Sequence, residues 1–68
     1  MFILAYDIPA SEPVFKLSIN RRLRRMGARM IQRSLWQHED LNELIRIAML
    51  IKNVGGKARI MEEKLIFE

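Results

Sequence analysis

The opening run Phe2-Ile3-Leu4-Ala5-Tyr6, closed by Asp7 and Pro9, narrows the possible folds more than any other feature of the chain. It is continuously apolar and does not alternate, which is the pattern of a strand buried on both faces. Such a strand sits in the middle of a sheet and needs a partner on each edge and a cover of helices. In a chain of 68 residues, few segments remain to supply them.

Those segments are readable in order. Pro9 and Pro13 bracket a turn, and Ser11 is the expected N-cap of a first helix with Glu12 and Pro13 in its first turn. Phe15, Ile19, Leu23 and Met26 recur at i, i+4, i+8 and i+11, one apolar stripe on that helix. Gly27 follows directly and suits a left-handed C-cap. Residues 29–37 read as strand, two short ones with a kink near Arg33-Ser34, although no Gly, Asn or Pro marks a turn there. Asp40-Leu41-Asn42-Glu43 has capping-box spacing and opens a second helix. Its expected stripe is Leu41, Leu44, Ile45, Ala48 and Ile51. Ile47, Met49 and Leu50 are apolar off that stripe, as in a helix covered on more than one side. Gly55-Gly56 ends it. Lys57–Met61 reads as a strand and Leu65–Phe67 as a further apolar patch, joined through Glu62-Glu63-Lys64 by a turn or by continued strand. The order β-α-β(β)-α-β(β) predicts one α+β domain over residues 1–68. The expected fold is a ferredoxin-like β-α-β-β-α-β sandwich, an antiparallel sheet with two helices on one face.

A chain this short buries only about 60% of its unfolded surface and needs a staple. There is no cysteine and one histidine, so disulfides, thiolate metal sites and multi-histidine zinc sites are excluded. Oligomerisation is the staple left, and a hydrophobic content of 50% fits a homodimer. The first residues lack the basic region and cleavage site of a signal peptide, and apolar runs such as Ile47–Ile51 are too short to span a bilayer. The expectation is a soluble, cytoplasmic protein without membrane partners.

The net charge of +4 is modest, but its distribution is not. Arg21, Arg22, Arg24, Arg25, Arg29 and Arg33 follow one another with no acid between positions 21 and 33. A merely solvated helix face would mix lysine with glutamate. Guanidinium groups alone suit bidentate contact with phosphate. No glycine-rich phosphate loop or base-reading motif accompanies them, so the expected binding is to nucleic-acid backbone, DNA or RNA, and sensitive to salt. Reversing the charges of Arg22 and Arg25 is expected to abolish it without unfolding the chain.

Tyr6-Asp7 at the end of the central strand is the second chemical feature. An aspartate there often caps the following turn. One carboxylate does not hold Mg²⁺ alone, but in a two-fold dimer Asp7 and its symmetry mate would together make a workable site. Trp36 reads as a core or dimer-interface residue, with stacking on a base as the alternative. Neither His38 nor Ser34 has an evident catalytic partner, and no hydrolase triad or P-loop can be assembled.

These motifs carry a family resemblance. An apolar first strand ending in Tyr6-Asp7-Ile8, a basic helix ending in Gly27, and the segment Arg29-Met30-Ile31-Gln32-Arg33-Ser34-Leu35-Trp36 resemble the second CRISPR-associated protein family, the small partner of the spacer integrase. The virulence-associated protein D toxins have a similar pattern. The resemblance spans about residues 1–61. It implies a ferredoxin-like homodimer that bridges integrase subunits and holds a duplex by its backbone. In some members it also implies metal-dependent RNase or DNase activity, with the strand-one aspartate, here Asp7, pairing across the dimer. Tyr6, Arg29, Gln32, Ser34 and Trp36 match motif positions. The chain departs from the family at residues 9–16, where only Lys16 is basic, at Met30, which takes an expected arginine slot, and in its short C-terminal segment. The first expectation is therefore an adaptor of spacer acquisition. A Mg²⁺-dependent endonuclease using Asp7 is the second, and a dimeric partner-binding module the third.

Overall fold

The computed structural model describes residues 1–67. The chain runs β1 (Phe2–Asp7), α1 (Pro13–Arg25), β2 (Arg29–Gln32), β3 (Leu35–His38), α2 (Leu41–Asn53) and β4 (Lys57–Glu62). The strands form one antiparallel sheet in the order β2-β3-β1-β4. This is an α+β architecture of four strands and two helices, compatible with the ferredoxin-like split β-α-β arrangement. The apolar first strand lies inside the sheet as expected, with β3 on one side and β4 on the other.

Pleating divides the strands into two faces. Leu4 and Tyr6 of β1 and Trp36 of β3 join Ile19 and Leu23 of α1 and Leu44, Ile47 and Ile51 of α2 in one core, so both helices lie on the same face. Ile3, Ala5 and Asp7 point to the other face, which no helix covers. Ile3 is nevertheless buried there, between its register partners Gln37 and Met61.

Both helices end as their glycines predict. Gly27 has φ +86, its N–H bonds the Arg24 carbonyl, and the Ala28 N–H bonds the Leu23 carbonyl. Gly55 and Gly56 repeat the pattern on the carbonyls of Lys52 and Ile51. Each is a Schellman motif that satisfies the last carbonyls of its helix.

Three local expectations need correction. The α1 N-cap is Glu12 rather than Ser11, and no side chain caps it. Pro13 accounts for this: it takes the first helical position, where its missing N–H costs nothing, and keeps the residue before it out of the helix. Only half of the expected capping box forms. Asp40 accepts from the Glu43 N–H at 3.2 Å, while the Glu43 carboxylate turns toward His38. The α2 stripe is also rotated. Leu44, Ile47 and Ile51 are buried, whereas Leu41 and Ile45 are exposed. A helix apolar nearly all round carries a weak period, and packing against β1 and β4 selects the face.

The β2–β3 connection is a two-residue turn, Arg33-Ser34, at the expected kink. Ser34 takes the left-handed φ of +59 without being glycine, and its carbonyl accepts from the Tyr6 N–H at 3.1 Å. That bond ties the hairpin tip to the end of β1. Beyond β4, the Glu63 N–H bonds the Met1 carbonyl, and Leu65, Ile66 and Phe67 then run out 66%, 81% and 89% exposed. No helix among the described residues is long and apolar enough to cross a membrane.

Candidate nucleic-acid interface

All six arginines of the cluster are exposed, and no ion pair among the described residues engages any of them. At 100° per residue, α1 fans its four across the solvent side of its last turns. Arg22 and Arg25 face α2 across a shallow groove of about 380 Å³ that also holds Met26, Glu43, Arg46 and Ile47. Arg24 stands on the other flank, its guanidinium 5.8 Å from the centre of the Trp36 ring, within cation–π range. Arg21 points outward between the two flanks. Arg22, Arg24 and Arg25 lie in the last turn, where cations also favour the helix by opposing its macrodipole.

The remaining two lie apart from this fan. Arg29 pairs in register with Gln37 and so belongs to the uncovered sheet face, where it borders a depression with Met30, Ile31, Gln37 and Glu63. Arg33 sits in the hairpin turn, at the opposite end of the sheet from the last turn of α1. The cluster thus wraps one end of the molecule from α1 through Gly27 to Arg29, and Arg33 falls outside it. It does not lie along one flat flank.

Arg33 instead shares its end of the sheet with Tyr6 and Asp7, because the Ser34 carbonyl holds the turn against β1. Asp7 is exposed on the uncovered face, paired in register with Lys57, and borders a depression with Ala5, Lys57, Arg59 and Met61. Tyr6, the next residue back, points the other way. Its hydroxyl donates to Asn20 Oδ1 at 2.6 Å inside the core. Burial pushes its pKa above the ordinary phenol value, and the Trp36 indole and Ser34 hydroxyl nearby pull it partly back. Adjacent strand residues cannot share a site on one face, so Tyr6 supports the fold beneath Asp7 and does not stand beside it.

Asp7 on one protomer supplies one carboxylate, flanked by Lys57 and Arg59, and no group of three or more metal-ligating side chains exists among the described residues. Mg²⁺ takes six oxygens. The donor set of the single chain therefore does not fit the ion. Asp7 closes β1 at the end of the sheet opposite the last turn of α1, and on the uncovered face, so it does not share a site with the main arginine fan.

The other motif residues are structural in this chain. Trp36 is 1% exposed and fills the core beneath α1, so it is closed to stacking on a base. Gln32 pairs with Leu35 beside the irregularity in β2. His38 is buried with Nε2 3.8 Å from the Glu43 carboxylate and without a hydrogen bond. Sequence reasoning passed over Arg46, which the apolar run of α2 hides, and Lys57 and Arg59. Their signals were present in the spacing: Arg46 stands one turn beyond Glu43, and 57 and 59 share a strand face with 61.

Compared with family models, with curated proteins and with solved structures, the chain matches none. What defines its class is the architecture and the surface: a small four-stranded α+β protein with a cationic end and an uncovered sheet face.

Proposed function

We propose that this protein binds nucleic-acid backbone as a homodimer, through the arginine fan at the end of α1. One observation carries the reading: Arg21, Arg22, Arg24 and Arg25 are all exposed and none is ion-paired. Guanidiniums at a helix end that no carboxylate engages meet phosphates without first breaking an ion pair, and the absence of a base-reading motif favours backbone over sequence.

Dimerisation is supported by surface. The protomer exposes 5296 Å², against roughly 4500 Å² for a compact monomer of its mass. Several large apolar side chains are among the exposed residues. Met61 is exposed on the uncovered face beside the partly exposed Leu35, and the exposed Leu65, Ile66 and Phe67 follow β4. The motif resemblance adds the biological setting: an adaptor of CRISPR spacer acquisition that holds duplex DNA beside an integrase subunit. A second reading, cleavage of DNA or RNA, draws on the exposed Asp7 between Lys57 and Arg59 and requires the Asp7 of a second copy to complete any Mg²⁺ site.

The test is fluorescence anisotropy with a labelled duplex across a salt series. Neutralising about five phosphates gives a log–log slope near −4 to −5. Arg22→Glu with Arg25→Glu lowers the slope magnitude by about 2 for each arginine fan on the duplex and affinity by tenfold or more. The protein stays folded, with a melting temperature lowered by only a few degrees through the helix dipole. Binding indifferent to salt or to both reversals refutes the reading. Asp7→Ala leaves duplex binding intact if the protein is an adaptor, and removes Mg²⁺-dependent cleavage if it is a nuclease.

A further inference from the structure

The groove between α1 and α2 has a chemistry of its own. Arg22 and Arg25 enter from one helix and Arg46 from the other, over an apolar floor of Met26 and Ile47. The one acid at the groove, Glu43, directs its carboxylate to His38 at 3.8 Å and pairs with none of the three arginines. Among the depressions of the surface, this one gathers arginines from two helices. Its formal charge, three cations against one carboxylate, is two positive.

We infer that this groove binds a phosphomonoester, with the phosphate held by Arg22, Arg25 and Arg46 and the attached nucleoside lying on Met26 and Ile47. A backbone phosphodiester carries one negative charge and is flanked by sugars on both sides. A terminal phosphate carries close to two at neutral pH and presents three free oxygens. Three guanidiniums converging from two helices match the second better than the first, since each offers paired donors to a different edge of the group. The apolar floor then favours a ligand with a flat organic body over inorganic phosphate. The phosphate belongs to a free mononucleotide or to the 5′ end of a strand. This goes beyond duplex binding, although Arg22 and Arg25 belong to both surfaces.

The probe is adenosine 5′-monophosphate, with adenosine and inorganic phosphate as references. Each is titrated into full-length protein carrying methyl labels at methionine and isoleucine. The expected result is saturable movement of the Met26 and Ile47 methyl signals with the monophosphate, none with adenosine, and weaker binding of inorganic phosphate. Arg46→Ala lowers the monophosphate affinity tenfold or more, and Arg46→Lys recovers part of it, since lysine restores the charge without the planar fork. Arg46 is exposed, so both variants are expected to fold. In a parallel arm, a single strand bearing a 5′-phosphate is compared with its 5′-hydroxyl counterpart, and the arm with the tighter binding identifies the source of the phosphate. Equal response to adenosine and its monophosphate, or an unchanged affinity in Arg46→Ala, overturns the inference. A duplex with hydroxyl ends tests the backbone reading separately, so either result stands if the other fails.

Discussion

Gly56 offers the sharpest test of how the sheet and α2 are joined. A Cβ built there lies 2.6 Å from Ile51 Cγ2, 2.8 Å from the Asp7 carbonyl oxygen and 2.9 Å from the Ile51 carbonyl oxygen. The first is a side chain in the fully buried core, and the other two are backbone, so none can yield cheaply. Gly56→Ala must push the end of β1 away from α2 or break the bond from the Gly56 N–H to the Ile51 carbonyl. Overpacking of this kind costs about 2–3 kcal/mol. A chain of this length has roughly 3–10 kcal/mol in total. The expected fall in melting temperature is about 10–20 °C at fixed protein concentration. Gly27→Ala is the control. Its Cβ meets nothing within 4 Å, so only the left-handed φ of +86 is penalised, at about 1 kcal/mol and 4–8 °C. Thermal and urea unfolding followed by far-ultraviolet circular dichroism measure both. Equal losses in the two variants would refute the close approach of Gly56 to β1.

Further outcomes follow from single residues. Asp40→Ala removes the side-chain acceptor for the Glu43 N–H and destabilises the protein by about 1 kcal/mol in urea unfolding, with Asp40→Asn close to neutral. Ser34→Gly relieves a left-handed serine and raises stability by about 0.5–1 kcal/mol, whereas Ser34→Val lowers it. Tyr6 is the only tyrosine, so phenolate absorbance reports it alone. Its folded pKa is raised, so the native state holds the proton more tightly than the unfolded chain does. The resulting stability is present below the ordinary value of 10 and is lost as pH rises above it, an alkaline dependence that Tyr6→Phe abolishes.

Much of this architecture is legible in the residues. The unbroken apolar run of β1 announced a central strand, and Gly27 and Gly55 announced the helix ends, because each depends on a local rule that packing does not override. The face of α2 was not legible, since Ile45, Ile47 and Met49 offered competing stripes and only β1 and β4 decide among them. The hairpin turn lacked its usual residues, and Ser34 pays locally for a conformation that the bond to Tyr6 holds in place. The site was half readable. The arginines could be counted from the sequence, but their division between the α1 end, the uncovered face and the hairpin tip could not. Neither could the convergence of Arg46 on Arg22 and Arg25, which joins residues far apart in the chain.

The register shift between Met30 and Gln32 has a consequence for how copies of this protein can meet. It leaves Ile31 without a partner and bends a four-residue margin whose side chains are all exposed. A warped, arginine-bearing border makes a poor template for another chain's backbone. The opposite border, β4, is longer, and its pairing with β1 runs unbroken from Lys57 to Glu62. Joining of sheets edge to edge into fibres needs two receptive borders, and this molecule offers one, so any pairing through β4 would close after two copies.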